Sequence, residues 1–348
     1  QWELRDATPG EGSASGDDGW IPVSAPGDAY VALIEAGRLS HPFQGRGEAD
    51  AAWVRDREWW QRTTFVAPAL SPGETAELVF EGLDTFATVF LDGEEIGRAD
   101  NMFRRWVFDI SDRVEAGTRH KLTIRFDPPA LAAPAGTLPP WTAFTDRVSR
   151  SRRNQMRKAQ FGWGWDWGPD LPTVGVWREA RLEVRARARL TDLRFTTLTV
   201  GPEAAEARID IGVSGAGTTR IRVTLSAPDG TTAFRHEGPA ADLSLPVRID
   251  TPQLWWTADL GRQPLYTLTA ALLADDGREV DQIRQDVGLR TLELDQSPDP
   301  DEPDATFFRF VLNGVPLFAK GACWVPASSF VGEVDAAAYE RLIDQTVG

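Results

Sequence analysis

The chain has 348 residues, 42% hydrophobic and 26% charged, which bounds it to a globular protein of two or three domains. A formal net charge of −15 argues against nucleic acid or an anionic membrane as partner, and an uninterrupted apolar run of about 18 residues, as a membrane span requires, is absent. One cysteine, Cys323, excludes an internal disulfide framework, and fourteen tryptophans against three tyrosines is a balance suited to carbohydrate handling.

Residues 1–57 carry little periodicity, apart from one short predicted helix over 28–36. Asp28 is a good N-cap there, an apolar run follows, and Gly37 is placed to end it. From Glu58 the pattern alternates. Strands are predicted at 59–65, 77–82, 105–110 and 121–126, with a hairpin turning at Asp92-Gly93, a favoured type I′ pair. Short strands separated by turn signals point to an antiparallel sandwich.

Residues 128–156 interrupt the strands with prolines and a basic run, Arg147, Arg150, Arg152 and Arg153. On so acidic a chain the run is expected to be a solvated face or a source of internal salt bridges. A loop this long inside a compact domain is functional or disordered, and it leads straight into Gln160-Phe161-Gly162-Trp163-Gly164-Trp165-Asp166-Trp167-Gly168-Pro169. Alternating Trp and Gly opposes a helix, and the glycines oppose a plain strand. The run predicts an ordered loop with aromatic walls around one acid, suited to a sugar whose C–H faces stack on indole. The alternative is that the tryptophans plug a sandwich core. An acid wedged among rings needs a partner, which a ligand hydroxyl, Arg157 or Lys158 could supply.

Running on from Arg157-Lys158-Ala159-Gln160 to Pro172-Thr173-Val174-Gly175-Val176-Trp177, this stretch resembles the Arg-Lys-x-Gln…Gly-Trp-Asp-Trp-Gly-Pro…Pro-Thr-x-Gly-x-Trp signature of β-mannosidases in glycoside hydrolase family 2. Pro26-Gly27-Asp28, His41-Pro42-Phe43-Gln44-Gly45 and Asn101 to Trp106 are similar to other phrases of that family, with His41 where an acid is usual. In the family the Trp-rich loop reaches into the active site and holds the terminal mannose. The resemblance thus implies Trp165, Asp166 and Trp167 as sugar contacts.

After Trp177 a closing strand is predicted at 178–184. A second set of strands follows at 193–198, 207–213, 220–225 and 265–272, with turns at Pro228-Asp229-Gly230 and Asp275-Asp276-Gly277. About 100 residues of this texture fit an immunoglobulin-like sandwich that serves as a spacer. Leu254-Trp255-Trp256 and Val287-Gly288-Leu289-Arg290-Thr291 also resemble family phrases, with Thr257 where Pro is usual. An acidic linker, 295–304, then leads to a hairpin at Asn313-Gly314 and a helix over 336–347.

The resemblance implies a mostly β chain: a jelly-roll sugar-binding sandwich over 1–187, an immunoglobulin-like sandwich over 188–293, and over 294–348 the linker with the first strand and helix of a (β/α)₈ barrel. Trp324-Val325-Pro326 stands where the family ends its first barrel strand, so Trp324 is a fourth candidate substrate contact. Cys323 and Ser328 replace the common Asn and Asp beside it. A barrel takes roughly 250 residues. Both catalytic glutamates of the family lie on later barrel strands, and none of Glu48, Glu58, Glu81 or Glu179 lies in a catalytic phrase. No catalytic residue, metal or cofactor is therefore expected among these residues, and the 348 residues alone are expected not to hydrolyse a glycoside.

Three functions fit this reading. The first is part of a retaining exo-β-mannosidase acting on β-mannoside glycans or manno-oligosaccharides. The second is a non-catalytic carbohydrate-binding module, and the third a pair of assembly scaffolds. A cytoplasmic setting is expected over a secreted one, although the chain begins at Gln1 and a removed leader stays compatible with it. The sequence carries no indication of oligomeric state.

Overall fold

A computed structural model describes residues 1–13, 16–134, 152–215, 217, 219–302 and 304–347. Arg147 and Arg150 of the basic run lie outside the described residues. The chain divides into two compact units: residues 1–71, 75–184 and 324–348 in one, and residues 72–74 and 185–323 in the other. Residues 294–348 form no unit of their own but are divided between these two.

The first unit is built from β1 (Trp2–Ala7), β2 (Ile21–Val23), α1 (Ala29–Glu35), α2 (Gly47–Ala51), β3 (Glu58–Val66), β4 (Glu74–Phe80), β5 (Leu83–Asp84), β6 (Ala87–Leu91), β7 (Glu94–Ala99), β8 (Trp106–Asp109), β9 (Arg119–Phe126), α3 (Pro129–Ala132), β10 (Trp163–Trp165), β11 (Gly168–Asp170), β12 (Gly175–Val176) and β13 (Ala180–Ala186). Six strands in the order β2-β1-β3-β9-β6-β7 make one sheet, and β13-β4-β8 make a second. Leu4, Trp59, Val89 and Ile124 from the first meet Leu78 and Phe80 from the second in a single buried cluster. That is a two-layer sandwich, in which each apolar sheet face removes the other from water.

Turn chemistry sets the local geometry. Asp92 and Gly93 take φ values of +52° and +90°, as the type I′ turn between β6 and β7 demands. Asp28 caps α1 by accepting the Tyr30 N–H at 2.7 Å. Less expected is Phe330, only 3% exposed within the first unit's core, stacked on Tyr30 at 5.9 Å and edge-on to Phe43 at 6.1 Å.

The second unit holds β14 (Arg189–Val200), β15 (Ala204–Ser214), β16 (Arg220–Ser226), β17 (Thr232–Pro239), β18 (Leu243–Asp250), β19 (Tyr266–Leu273) and β20 (Glu279–Val287). Sheets β14-β15-β18 and β17-β16-β19-β20 enclose a core of Ile209, Ile211, Val247 and Ile249 against Ile221, Val223, Leu225 and Leu268. Seven strands in three and four match an immunoglobulin-like sandwich. The two phrases of this region meet: Trp255 N–H donates to Leu289 O at 2.9 Å, and the Arg290 guanidinium lies 4.7 Å over the Trp255 ring. A small sheet follows from β21 (Leu292–Asp295), β22 (Arg309–Leu312) and β23 (Val315–Leu317), its hairpin turning at Asn313 and Gly314 with φ of +50° and +79°. The Asn313 amide ties this sheet to the sandwich by donating to Trp255 O at 3.0 Å.

A last helix, α4 (Ala336–Val347), lies where the sequence predicts it. Residues 318–326, where the resemblance implies the first barrel strand, form no strand. No helix among the described residues is long and apolar enough to cross a membrane.

Candidate sugar-facing site

The tryptophan run is a miniature antiparallel hairpin. β10 and β11 pair Trp163 with Asp170 and Trp165 with Gly168, leaving Asp166 and Trp167 as a two-residue turn. Strict alternation would send Trp163 and Trp165 to the same face. Gly164 breaks it: its φ of +83° is a conformation that residues with a Cβ resist, and it re-aims the chain between the two indoles. Trp163 is consequently 5% exposed, packed with Ala133, Met156 and Phe86, whereas Trp165 is 63% and Trp167 41% exposed. Phe161 backs Trp167, with ring centroids 6.1 Å apart.

Asp166 is exposed at the tip, and its carboxylate has no hydrogen-bond or ion-pair partner among the described residues. Of the partners expected for it, neither Arg157 nor Lys158 pairs with it among the described residues. Lys158, one of the two candidates, is turned inward with its side chain 1% exposed. Its Nζ donates to both Asp84 oxygens at 2.5 and 2.7 Å and to Thr173 O at 2.6 Å, while Thr173 Oγ1 donates to Asp84 Oδ2 at 2.6 Å. The Thr85 hydroxyl completes this closed polar knot. Half of the signature is therefore a brace: Lys158, Thr173 and Gly175 converge on β5, where β12 pairs Gly175 with Asp84.

Trp324 is 52% exposed in the irregular segment before Phe330 and makes no ring contact with Trp165 or Trp167 among the described residues. Trp165, Asp166 and Trp167 are thus brought together on one turn, and Trp324 is not joined to them. Ser329 does approach the turn: its Oγ is 3.9 Å from where a Cβ on Gly168 would lie. Sequence reasoning missed Ser329, because a serine five residues beyond Trp324 carries no signal of its own.

The glutamates set aside as catalysts are all occupied structurally. Glu58 accepts from Trp60 Nε1 at 2.7 Å, Glu81 pairs with Arg105 and Arg181, Glu179 with Arg181, and Glu48 accepts the Asp170 N–H at 3.0 Å. Among the described residues no group of three or more His, Cys, Asp or Glu side chains is arranged to hold a metal ion.

One buried acid has a perturbed affinity for protons. Burial pushes the Asp28 carboxyl from 3.8 up to about 7, against the opposing pull of the Val174 and Tyr30 N–H donors. A carboxyl near neutrality invites a catalytic reading. Asp28 is only 3% exposed, and its oxygens accept from Tyr30 N and Val174 N at 2.7 and 3.0 Å, so it is an internal strut. The folded chain holds a proton on Asp28 between about pH 4 and 7 that the unfolded chain releases, so this group's contribution is full below about pH 4 and lost as pH rises through about 7. Asp28→Asn should flatten that part of the stability profile relative to the parent, as read by urea unfolding at several pH values from about 4 to 7. Parallel profiles would contradict the assignment.

Residues 2–178 match the glycosyl hydrolase 2 galactose-binding domain-like family, and residues 188–290 match the glycosyl hydrolases family 2 domain. The chain belongs to glycoside hydrolase family 2. Its curated relatives include proteins named beta-mannosidase B from Aspergillus clavatus, 35% identical over 99% of this chain and 41% of that protein, and from Aspergillus terreus, 36% identical over 99% and 40%. A solved β-D-mannosidase from Dictyoglomus thermophilum shares 29% identity and superposes with a TM-score of 0.84, covering 99% of this chain and 42% of that one. The family 2 chain thus spans about two-fifths of the length of the relatives it matches.

Proposed function

We propose that the protein carrying these domains is a retaining exo-β-mannosidase that removes terminal, non-reducing β-D-mannose from glycans or manno-oligosaccharides, and that the Asp166–Trp167 turn forms one wall of the mannose subsite. The observation that carries this reading is the exposed Asp166 at the hairpin tip, flanked in sequence by the exposed Trp165 and Trp167, in a family 2 chain whose relatives are named β-mannosidases. An indole face shields the C–H side of a pyranose, and a carboxylate accepts from two neighbouring hydroxyls, so the pair reads one sugar edge. In this reading Trp324 adds a further aromatic contact. The two carboxyl groups of retaining hydrolysis, about 5–5.5 Å apart, are supplied by a barrel and by none of the glutamates described above.

The test is a panel of 4-nitrophenyl glycosides offered to the protein expressed from its complete reading frame. The β-mannoside should exceed the β-galactoside and β-glucuronide in kcat/KM by a factor on the order of 100, because a subsite built around particular hydroxyls rejects epimers that leave its polar groups unpaired. Equal turnover of all three would overturn the reading. Mannoside binding without any turnover would favour the carbohydrate-binding module.

A further inference from the structure

The turn that bears Trp165, Asp166 and Trp167 has little to hold it. Each strand of its hairpin is three residues long, and a two-stranded ribbon alone is marginal in water. Glycines at 162, 164 and 168 bring backbone freedom and no side-chain packing. On one strand the anchor is Trp163. On the other it is Asp170, which lies outside the signature that directs attention to this stretch. The Asp170 N–H donates to Glu48 Oε1 at 3.0 Å, and its Oδ2 pairs with Arg55 at 2.5 Å. Both partners come from one short platform, α2 and the helical turn Ala52–Asp56, 122 residues upstream in the case of Glu48.

The platform is itself firmly seated. Ala51 and Val54 are fully buried, and Trp59 Nε1 donates to Val54 O at 2.8 Å. The Arg55 and Asp170 side chains are 29% and 23% exposed, so their attraction is less screened than that of a surface pair. Burial lowers the proton affinity of Arg55, but the hydrogen bond and charge of Asp170, together with the charges of Asp56 and Tyr30, raise it overall. The remaining oxygen, Asp170 Oδ1, is buried and accepts no hydrogen bond among the described residues. A carboxylate with one buried oxygen left unpaired among the described residues is a poor device for stability alone.

We propose that Asp170 is a positioning residue for the mannose subsite: clamped by Arg55 and Glu48, it fixes where the Asp166–Trp167 turn meets the sugar. The inference rests on the mannoside reading. Without the clamp the sandwich core is intact, but the turn samples other placements. Substrate must then order it on binding, which raises the apparent dissociation constant by the inverse of the competent fraction and leaves the chemical step alone. The clamp therefore acts on KM and spares kcat.

The experiment compares Arg55→Met, Asp170→Asn, their double variant, Glu48→Ala and Glu48→Gln in the protein from its complete reading frame, with Trp165→Ala as reference. Arg55→Met and Asp170→Asn should each raise KM for 4-nitrophenyl β-D-mannoside about tenfold, with kcat within about twofold. The double variant should be no worse than the worse single, as expected for partners in one interaction. Glu48→Gln keeps an oxygen for the Asp170 N–H and should behave as the parent, whereas Glu48→Ala should follow Arg55→Met. Melting midpoints should stay within about 2 °C. If Trp165→Ala lowers kcat/KM while the clamp variants keep the parental KM, the clamp is overturned and the mannoside reading stands. If Trp165→Ala itself has no effect, the reading of the turn fails and the clamp with it. A KM rise that tracks a matching loss of melting temperature, with Glu48→Gln no better than Glu48→Ala, reduces Asp170 to a structural residue and also overturns the proposal.

Discussion

Asp166→Ala should lower kcat/KM on 4-nitrophenyl β-D-mannoside by about 10²–10³-fold, with the melting transition of the protein unchanged. The two halves of that expectation have separate causes. The carboxylate is exposed and makes no hydrogen bond or ion pair among the described residues, so removing it strips no native polar contact and opens no buried cavity. In the complex it would accept from sugar hydroxyls that otherwise lose water without replacement, and a site built on such bonds discriminates steeply against their loss. Asp166→Asn, which keeps one acceptor and loses the charge, should fall between the two. Parental turnover in Asp166→Ala would remove this residue from the subsite.

Lys158→Met should have the opposite signature, a large loss of stability from a residue that no substrate reaches. Lys158 and Asp84 are 1% and 0% exposed in their side chains, and removing one member strands the other's charge in the interior. Breaking a buried pair in this way costs about 3–5 kcal/mol. The first unit's melting midpoint should fall by about 10 °C or more, or the protein should fail to accumulate. The double variant Lys158→Met/Asp84→Leu should recover much of the loss, since an apolar pair of similar volume carries no stranded charge. A single variant that melts with the parent would show that the pair adds nothing. Thermal unfolding should be followed with a probe that separates the two units, because a two-domain chain need not unfold in one step.

What the sequence revealed and what it concealed divide along one physical line. Asp92-Gly93 and Asn313-Gly314 announce their hairpins because two adjacent residues supply the positive φ that the turn needs. Asp28 announces the start of α1 because capping is settled within two residues, and α4 follows from its own local pattern. The Trp-rich signature marks the turn, yet not that half of the signature faces inward. Lys158 and Asp84 are 74 residues apart and Glu48 and Asp170 122, and a polar pair at such separations leaves no periodicity in the chain. Asp166 could be found by its company. Asp84, Arg55 and Asp170, which hold the surrounding backbone, become visible only once the sheets bring them together.

The burial of Phe330 has a consequence for how the protein is made. Its ring fills a place among Tyr30 and Phe43, yet it leaves the ribosome 300 positions after Tyr30, behind the whole of the second sandwich. The closing strand of the first sandwich ends at Ala186, so at about 5–20 residues per second of elongation the sandwich waits about 7–30 s before Phe330 is synthesised. During that interval Tyr30 and Phe43 lack the ring they pack against in the finished fold.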